Sequence, residues 1–176
     1  MEDKKKNLSA YTKTTLEDVS EMRIGIVAAE WNAEVVDALL EGALQTLASE
    51  GISDANVHVI RVPGTFELPS GADLLLRTTK IDGVICLGCV VKGDTRHDEY
   101  INSAVSHGLT NLSISAHKPV IFGVLTTENM QQAVDRAGGQ HGNKGVEAAI
   151  TVLKMVQLFK NQLKPKHSIG FGGNAN

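Results

Sequence analysis

The sequence predicts a three-layer α/β/α sandwich built on a four-stranded parallel sheet. Three observations predict it. Apolar runs of strand length alternate with segments whose apolar residues recur every three or four positions. Those runs are continuously apolar instead of alternating, as strands buried on both faces must be. The chain is also long enough: 176 residues with 42% apolar side chains suffice for one compact core.

The elements follow in order. Residues 1–21 are polar and aperiodic, which predicts a flexible or loosely docked arm ahead of a single domain over 22–162. Met22 to Ala29 is a short apolar run and reads as the first strand. Val36, Leu39, Leu40, Ala43, Leu44 and Leu47 then share one helix face, and Gly51 supplies the C-terminal cap. Val57 to Val62 reads as the second strand. Pro63-Gly64 turns the chain into a helix from about Glu67, with Pro69 tolerated in its first turn. The third strand is Val84 to Val91. A helix with Ile101, Val105, Leu109 and Leu112 on one face follows and stops before Pro119. Val120 to Leu125 is the fourth strand. Helices from about Asn129 to Arg136 and from about Lys144 to Lys160 close the domain, with Val146, Ile150, Leu153 and Val156 as the last apolar stripe. Residues 163–176 read as a flexible tail, Gly- and Asn-rich from Ser168 onward.

Several classes of function are excluded early. A formal net charge of −3 gives no global field for nucleic acid or anionic membranes, so function must come from a local site. The longest apolar stretches are strand-length and broken by Gly or charge, well short of the ~20 residues a spanning helix needs. Met1-Glu2-Asp3-Lys4-Lys5-Lys6 has no apolar run behind it, so it does not read as a secretory signal and the chain reads as cytoplasmic. Cys86-Leu87-Gly88-Cys89 lies within the third strand, where residues three apart face opposite sides of the sheet. It therefore reads as packing and not as a redox or metal pair. Neither the P-loop pattern nor a G-x-G-x-x-G after the first strand is present, which disfavours an ordinary nucleotide enzyme.

Right-handed crossovers place every loop that follows a strand along one edge of a parallel sheet, and ligands bind there. The chemically unusual residues cluster in those loops. Trp31-Asn32 follows the first strand. Trp31 is the chain's single tryptophan, suited to stacking on a planar ring and equally to interface packing. Thr65-Phe66-Glu67 follows the second strand, pairing an apolar surface with an acceptor carboxylate. After the third come Lys92-Gly93-Asp94-Thr95-Arg96-His97. There the unpaired N–H groups of a helix start and the Thr95 hydroxyl suit an anion, and His97 in the first turn suits proton transfer. An ordinary helix start with a surface histidine fits the same residues. His58, His107, His117, His141 and His167 show no metal-ligand spacing and read as structural or solvent-facing. Arg136 offers a planar fork for phosphate, while Lys144 opens a helix, where a cation is mildly unfavourable; a solvated lysine fits that position too.

Taken in order, the stretches Val62-Pro63-Gly64-Thr65-Phe66-Glu67, Gly93-Asp94-Thr95-Arg96-His97-Asp98-Glu99-Tyr100 and Phe122-Gly123-Val124-Leu125-Thr126 form a recognisable series. Arg136-Ala137-Gly138 with Gly142-Asn143-Lys144-Gly145 completes it. Together with Trp31-Asn32 they resemble the lumazine synthases across about residues 23–160. The resemblance implies a flavodoxin-like fold and a cofactor-free, metal-free condensation. In it, 5-amino-6-ribitylaminouracil and 3,4-dihydroxy-2-butanone 4-phosphate give 6,7-dimethyl-8-ribityllumazine and phosphate.

By the same resemblance, Trp31 stacks on the pyrimidine and Asn32 lies beside it. Thr65, Phe66 and Glu67 hold the pyrimidine and its ribityl chain, and Cys89, Val90 and Val91 line the ring pocket through backbone groups. Asp94, Thr95 and Arg136 bind phosphate, with the Asp94 backbone facing the anion, and His97 is the general acid/base. The family builds its sites between adjacent subunits of a pentamer, so Phe122, Arg136 and Lys144 are expected from the neighbour. Twelve pentamers often form a hollow shell that encloses riboflavin synthase, and the short Gly138 to Asn143 loop points to such a sixty-subunit shell. No nucleic-acid or membrane partner is implied. Two rivals remain: the related archaeal-type riboflavin synthases, and a non-catalytic flavin- or lumazine-binding shell protein. Trp31-Asn32 and Gly93 to His97 argue against the first, and His97 with Arg136 against the second.

Overall fold

The computed structural model describes residues 16, 17 and 19–163. Most of the expected arm and all but the first residue of the expected tail, His167 included, lie outside that range. Val19–Glu21 forms one 3-10 turn with Val19 buried and Leu16 packed against the core, so packing begins a few residues ahead of the first strand.

Four parallel strands form the sheet: β1 (Ile24–Ala29), β2 (Val57–Val62), β3 (Gly83–Val91) and β4 (Val120–Thr127). Their spatial order is β2-β1-β3-β4. Helix α1 (Ala33–Ser49) links β1 to β2, α2 (Leu68–Thr78) links β2 to β3, and α3 (His97–Ala116) links β3 to β4. Helix α4 (Met130–Asp135), a hairpin of β5 (Ala137–Gly139) and β6 (Gly142–Asn143), and α5 (Lys144–Leu163) complete the described chain. The three-layer sandwich with its four-stranded parallel sheet is the fold that the sequence predicted.

Burial explains why the apolar runs became strands. Every residue of β1 is buried, as is all of β3 but Val91, whereas the edge strand β2 is half-exposed. Along β3 the side chains alternate. Ile85, Leu87 and Cys89 pack with α1 and α5, while Val84, Cys86 and Val90 pack with α2 and α3. The two cysteines therefore lie on opposite faces, as their spacing required. Burial raises both thiols, Cys89 to about 11 and Cys86 further still, so neither is a ready nucleophile.

Helix α1 ends as its sequence specifies. Gly51, at φ 98°, lets its own N–H reach the Ala48 carbonyl and the Ile52 N–H reach that of Leu47, both at 3.0 Å. Two differences from the sequence reading are local. Thr65–Glu67 forms a 3-10 turn before α2, with Pro69 near the helix start, where its missing N–H costs nothing. Gly138 to Asn143, expected as a plain loop, holds the small hairpin. Among the described residues, no helix is long and apolar enough to cross a membrane.

The topology fixes where a ligand can sit. From β1 the chain runs to β2 on one side, and then crosses back to β3 on the other. The direction of winding reverses between β1 and β3, and the loops that leave their carboxyl ends diverge to open a crevice there.

Candidate active site

A cleft of about 300 Å³ opens at that crevice. Trp31 and Asn32 enter it from β1, Thr65 and Phe66 from the turn after β2, and Cys89, Val90 and Val91 from the end of β3. Thr95 and His97 form its rim at the start of α3. Nine of the fourteen sequence-derived site residues thus meet in one place. That convergence follows from the topology, since all nine stand at or just beyond strand ends.

Backbone hydrogen bonds hold the first two loops together. The Glu30 N–H donates to the Val62 carbonyl at 2.8 Å and the Trp31 N–H to that of Pro63 at 3.1 Å. Asn32 adopts a left-handed conformation at φ 57°, and its side-chain amide donates to the Cys89 carbonyl at 2.8 Å. This bond pins the start of α1 to the end of β3. It gives Asn32 a structural task in the cleft wall and reduces its freedom to bond a ligand. Thr65 is buried, with its hydroxyl 3.5 Å from the same carbonyl. Above these polar ties stand two aromatic side chains that the chain leaves in solvent, Trp31 at 66% exposure and Phe66 at 56%. Exposed aromatics on a concave surface are the unusual observation, because isolated chains normally bury them.

His97 is the first residue of α3 and is exposed. Its backbone N–H approaches the Thr95 hydroxyl at 3.4 Å. Asp98 and Glu99 follow in the same turn, where the helix dipole favours carboxylates. The helix start therefore carries two carboxylates, with Arg96 immediately before them and Lys92 near enough to feel their charge.

The other expected site residues stand apart from the cleft within one chain. Asp94 is exposed on the loop before α3, outside the cleft lining. Glu67 turns a carboxylate oxygen onto the Gly64 N–H at 3.0 Å. Phe122 lies within β4 beside Cys86, packed toward the α2/α3 layer. Arg136 ends α4 and Lys144 begins α5, and both bind one carboxylate: Arg136 Nη2 is 2.8 Å and Lys144 Nζ 3.0 Å from Glu147. Arg136 Nη1 also donates to the His141 carbonyl at 2.7 Å. Burial alone would raise the Glu147 carboxyl, but the Lys144 and Arg136 cations outweigh it and hold the group below its ordinary range. The cation that looked misplaced at a helix start is thus paired one turn along.

Glu147 escaped the sequence reading, although a Lys with a Glu three residues on was a visible signal. Gly93, Asp98 and Ile101 also line the cleft. Ile101 packs against the core, as its place on the apolar face of α3 predicted, and also edges the cleft one turn beyond His97. His58 lies in β2, His107 in α3, His117 at the C-terminal cap of α3 and His141 between β5 and β6, and no group of three or more His, Cys, Asp or Glu that could hold a metal exists among the described residues.

Comparison with known proteins bears on this geometry. The sequence model of the 6,7-dimethyl-8-ribityllumazine synthase family matches residues 21–160. The chain is 54% identical to the 6,7-dimethyl-8-ribityllumazine synthase of Parabacteroides distasonis over 152 residues, covering 86% of this chain and 95% of that protein. Identity to the same-named protein of Cytophaga hutchinsonii is 54% over 151 residues, covering 86% and 94%. To that of Aquifex aeolicus it is 45% over 140 residues, covering 80% and 91%.

Proposed function

The chain belongs to the 6,7-dimethyl-8-ribityllumazine synthase family, and we propose that the cleft between β1 and β3 is where it performs that family's condensation. The enzyme joins 5-amino-6-ribitylaminouracil to 3,4-dihydroxy-2-butanone 4-phosphate, in the penultimate step of riboflavin biosynthesis. The observation that carries the assignment to this cleft is the convergence of Trp31, Phe66 and His97 at the crevice where the winding reverses. The family match over residues 21–160 favours this reaction over a riboflavin synthase or a pure binding module.

The chemistry divides among the residues as follows. The exposed Trp31 indole stacks on the pyrimidine, Phe66 and Thr65 flank it, and the Cys89 to Val91 backbone edges the ring. Glu67 accepts from the pyrimidine or the ribityl chain. An amine of the pyrimidine attacks the ketone and water leaves, phosphate is eliminated, and the second amine closes the ring with loss of another water. Each step moves a proton, and His97 at the rim is placed to carry it. Thr95 and the Asp94 backbone hold the phosphate, with Arg136 as the counter-cation.

Arg136, Lys144 and Phe122 do not line the cleft of their own chain. We assign them to the cleft of an adjacent subunit in a pentamer, and the short hairpin at β5 and β6 fits assembly of pentamers into a sixty-subunit shell that can enclose riboflavin synthase. A sedimentation profile with a single large species supports the shell, and pentamers alone reject it. The activity is tested by supplying both substrates and following lumazine fluorescence with phosphate release. Equal amounts of the two products are expected; folded, assembled protein that makes neither would reject the reaction.

A further inference from the structure

We infer that Gly64 is a positioning residue for this reaction: the side chain it lacks provides the seat of the Trp31 indole and the point to which the Glu67 carboxylate is tied. The inference rests on the assignment of Trp31 and Glu67 to the pyrimidine. Gly64 is buried, at φ −135° and ψ 177°, an extended conformation open to any residue, so its backbone does not require glycine. Space requires it. A Cβ at this position would stand 2.7 and 2.8 Å from Cε3 and Cζ3 of Trp31, and 3.0 Å from Oε2 of Glu67. The same oxygen accepts from the Gly64 N–H at 3.0 Å. The stacking surface and the acceptor carboxylate therefore meet at a position that has no side chain.

What would yield on adding a methyl group is decided by the surroundings. The backbones of the two loops are hydrogen-bonded to each other from Glu30 to Val62 and from Trp31 to Pro63, so they cannot easily part. The indole is 66% exposed and free to swing. Alanine at this position therefore expels the ring from its seat and leaves the fold standing. His97 enters the cleft from α3 and is untouched, so substrate capture suffers and the proton transfers do not.

The test is steady-state kinetics on the assembled full chain. Gly64→Ala should raise KM for the pyrimidine about tenfold, the size of one aromatic–base stacking contact. Its kcat and thermal midpoint should stay near the parent values. Because Trp31 is the sole tryptophan, emission of the free protein should shift to longer wavelength as the ring leaves its seat. In a Trp31→Phe background, which lacks the two crowding atoms, the KM penalty of Gly64→Ala should fall to about twofold. A glycine with only a structural role predicts no such compensation. Unchanged KM and emission in Gly64→Ala would overturn the inference, as would failure to fold in both backgrounds. Trp31→Leu separates the two levels. If it leaves KM unchanged, the stacking assignment itself is lost; if it raises KM while Gly64→Ala does not, only the positioning role is lost.

Discussion

Beyond the carboxyl ends of β1 and β2 the chain leaves Trp31 and Phe66 in solvent, whereas at the start of α5 it closes Arg136 and Lys144 onto Glu147. The cleft presents exposed aromatic faces above a wall in which Asn32 and Thr65 reach the Cys89 carbonyl. The basic cluster presents charges already paired, with side chains only about a fifth to a third exposed. An aromatic face left in water gains from any flat ligand that covers it. A guanidinium bound to a carboxylate holds its orientation before a second anion arrives, which lowers the ordering cost of binding. One region is an open apolar surface and the other a closed, charge-paired cluster.

Substitutions test this contrast. The largest effect is expected at His97: alanine should lower kcat about 10²–10⁴-fold, leaving a residue of rate from alignment of the two substrates. A His97→Ala enzyme with parental kcat would remove the acid–base role.

Next comes Glu147→Gln, which leaves two cations side by side without their shared carboxylate. A loss of about 1–3 kcal/mol is expected in denaturant unfolding. The pH dependence has a definite sign. Glu147 is held below its ordinary range, so its stabilisation is complete above the pH where a free glutamate titrates, about 4.3. It fades as the pH falls through the folded value. The parent protein should therefore lose more stability on acidification than Glu147→Gln, and parallel pH curves would show that the carboxylate contributes nothing.

A smaller effect, about tenfold in KM for the pyrimidine with kcat nearly kept, is expected of Trp31→Leu. Least of all should happen at Cys89. It lines the cleft, yet burial pushes its thiol up to about 11. Alkylating reagents at pH 8 should leave folded protein unmodified and label both cysteines only after unfolding. Rapid labelling of native protein would mean that the cleft floor opens.

The fold was legible because its strands announce themselves. Strands buried on both faces are continuously apolar, as in β1 and β3, and the half-exposed edge strand β2 still keeps Val57, Val59, Ile60 and Val62, so β1 to β4 could be placed within two residues at either end. The nine cleft residues were legible for a related reason: topology, and not proximity in sequence, gathers strand ends. The β5/β6 hairpin was not, since strands of two or three residues carry no period. Nor was the bond from Asn32 to the Cys89 carbonyl, which joins residues far apart in sequence and requires a left-handed turn that no pattern marks. Phe122, Arg136 and Lys144 illustrate the opposite limit. Their motifs stand out in the sequence, but the described chain keeps them away from its own cleft.

We propose above that the pyrimidine docks against Trp31 in the β1/β3 cleft. The most direct test of this docking is a titration of the assembled protein with 5-amino-6-ribitylaminouracil, following the fluorescence of the one tryptophan and correcting for ligand absorbance. Saturable quenching is expected, with a midpoint close to the dissociation constant found by calorimetry on the same preparation. Binding seen by calorimetry with no change in Trp31 emission would place the pyrimidine elsewhere and contradict the proposal.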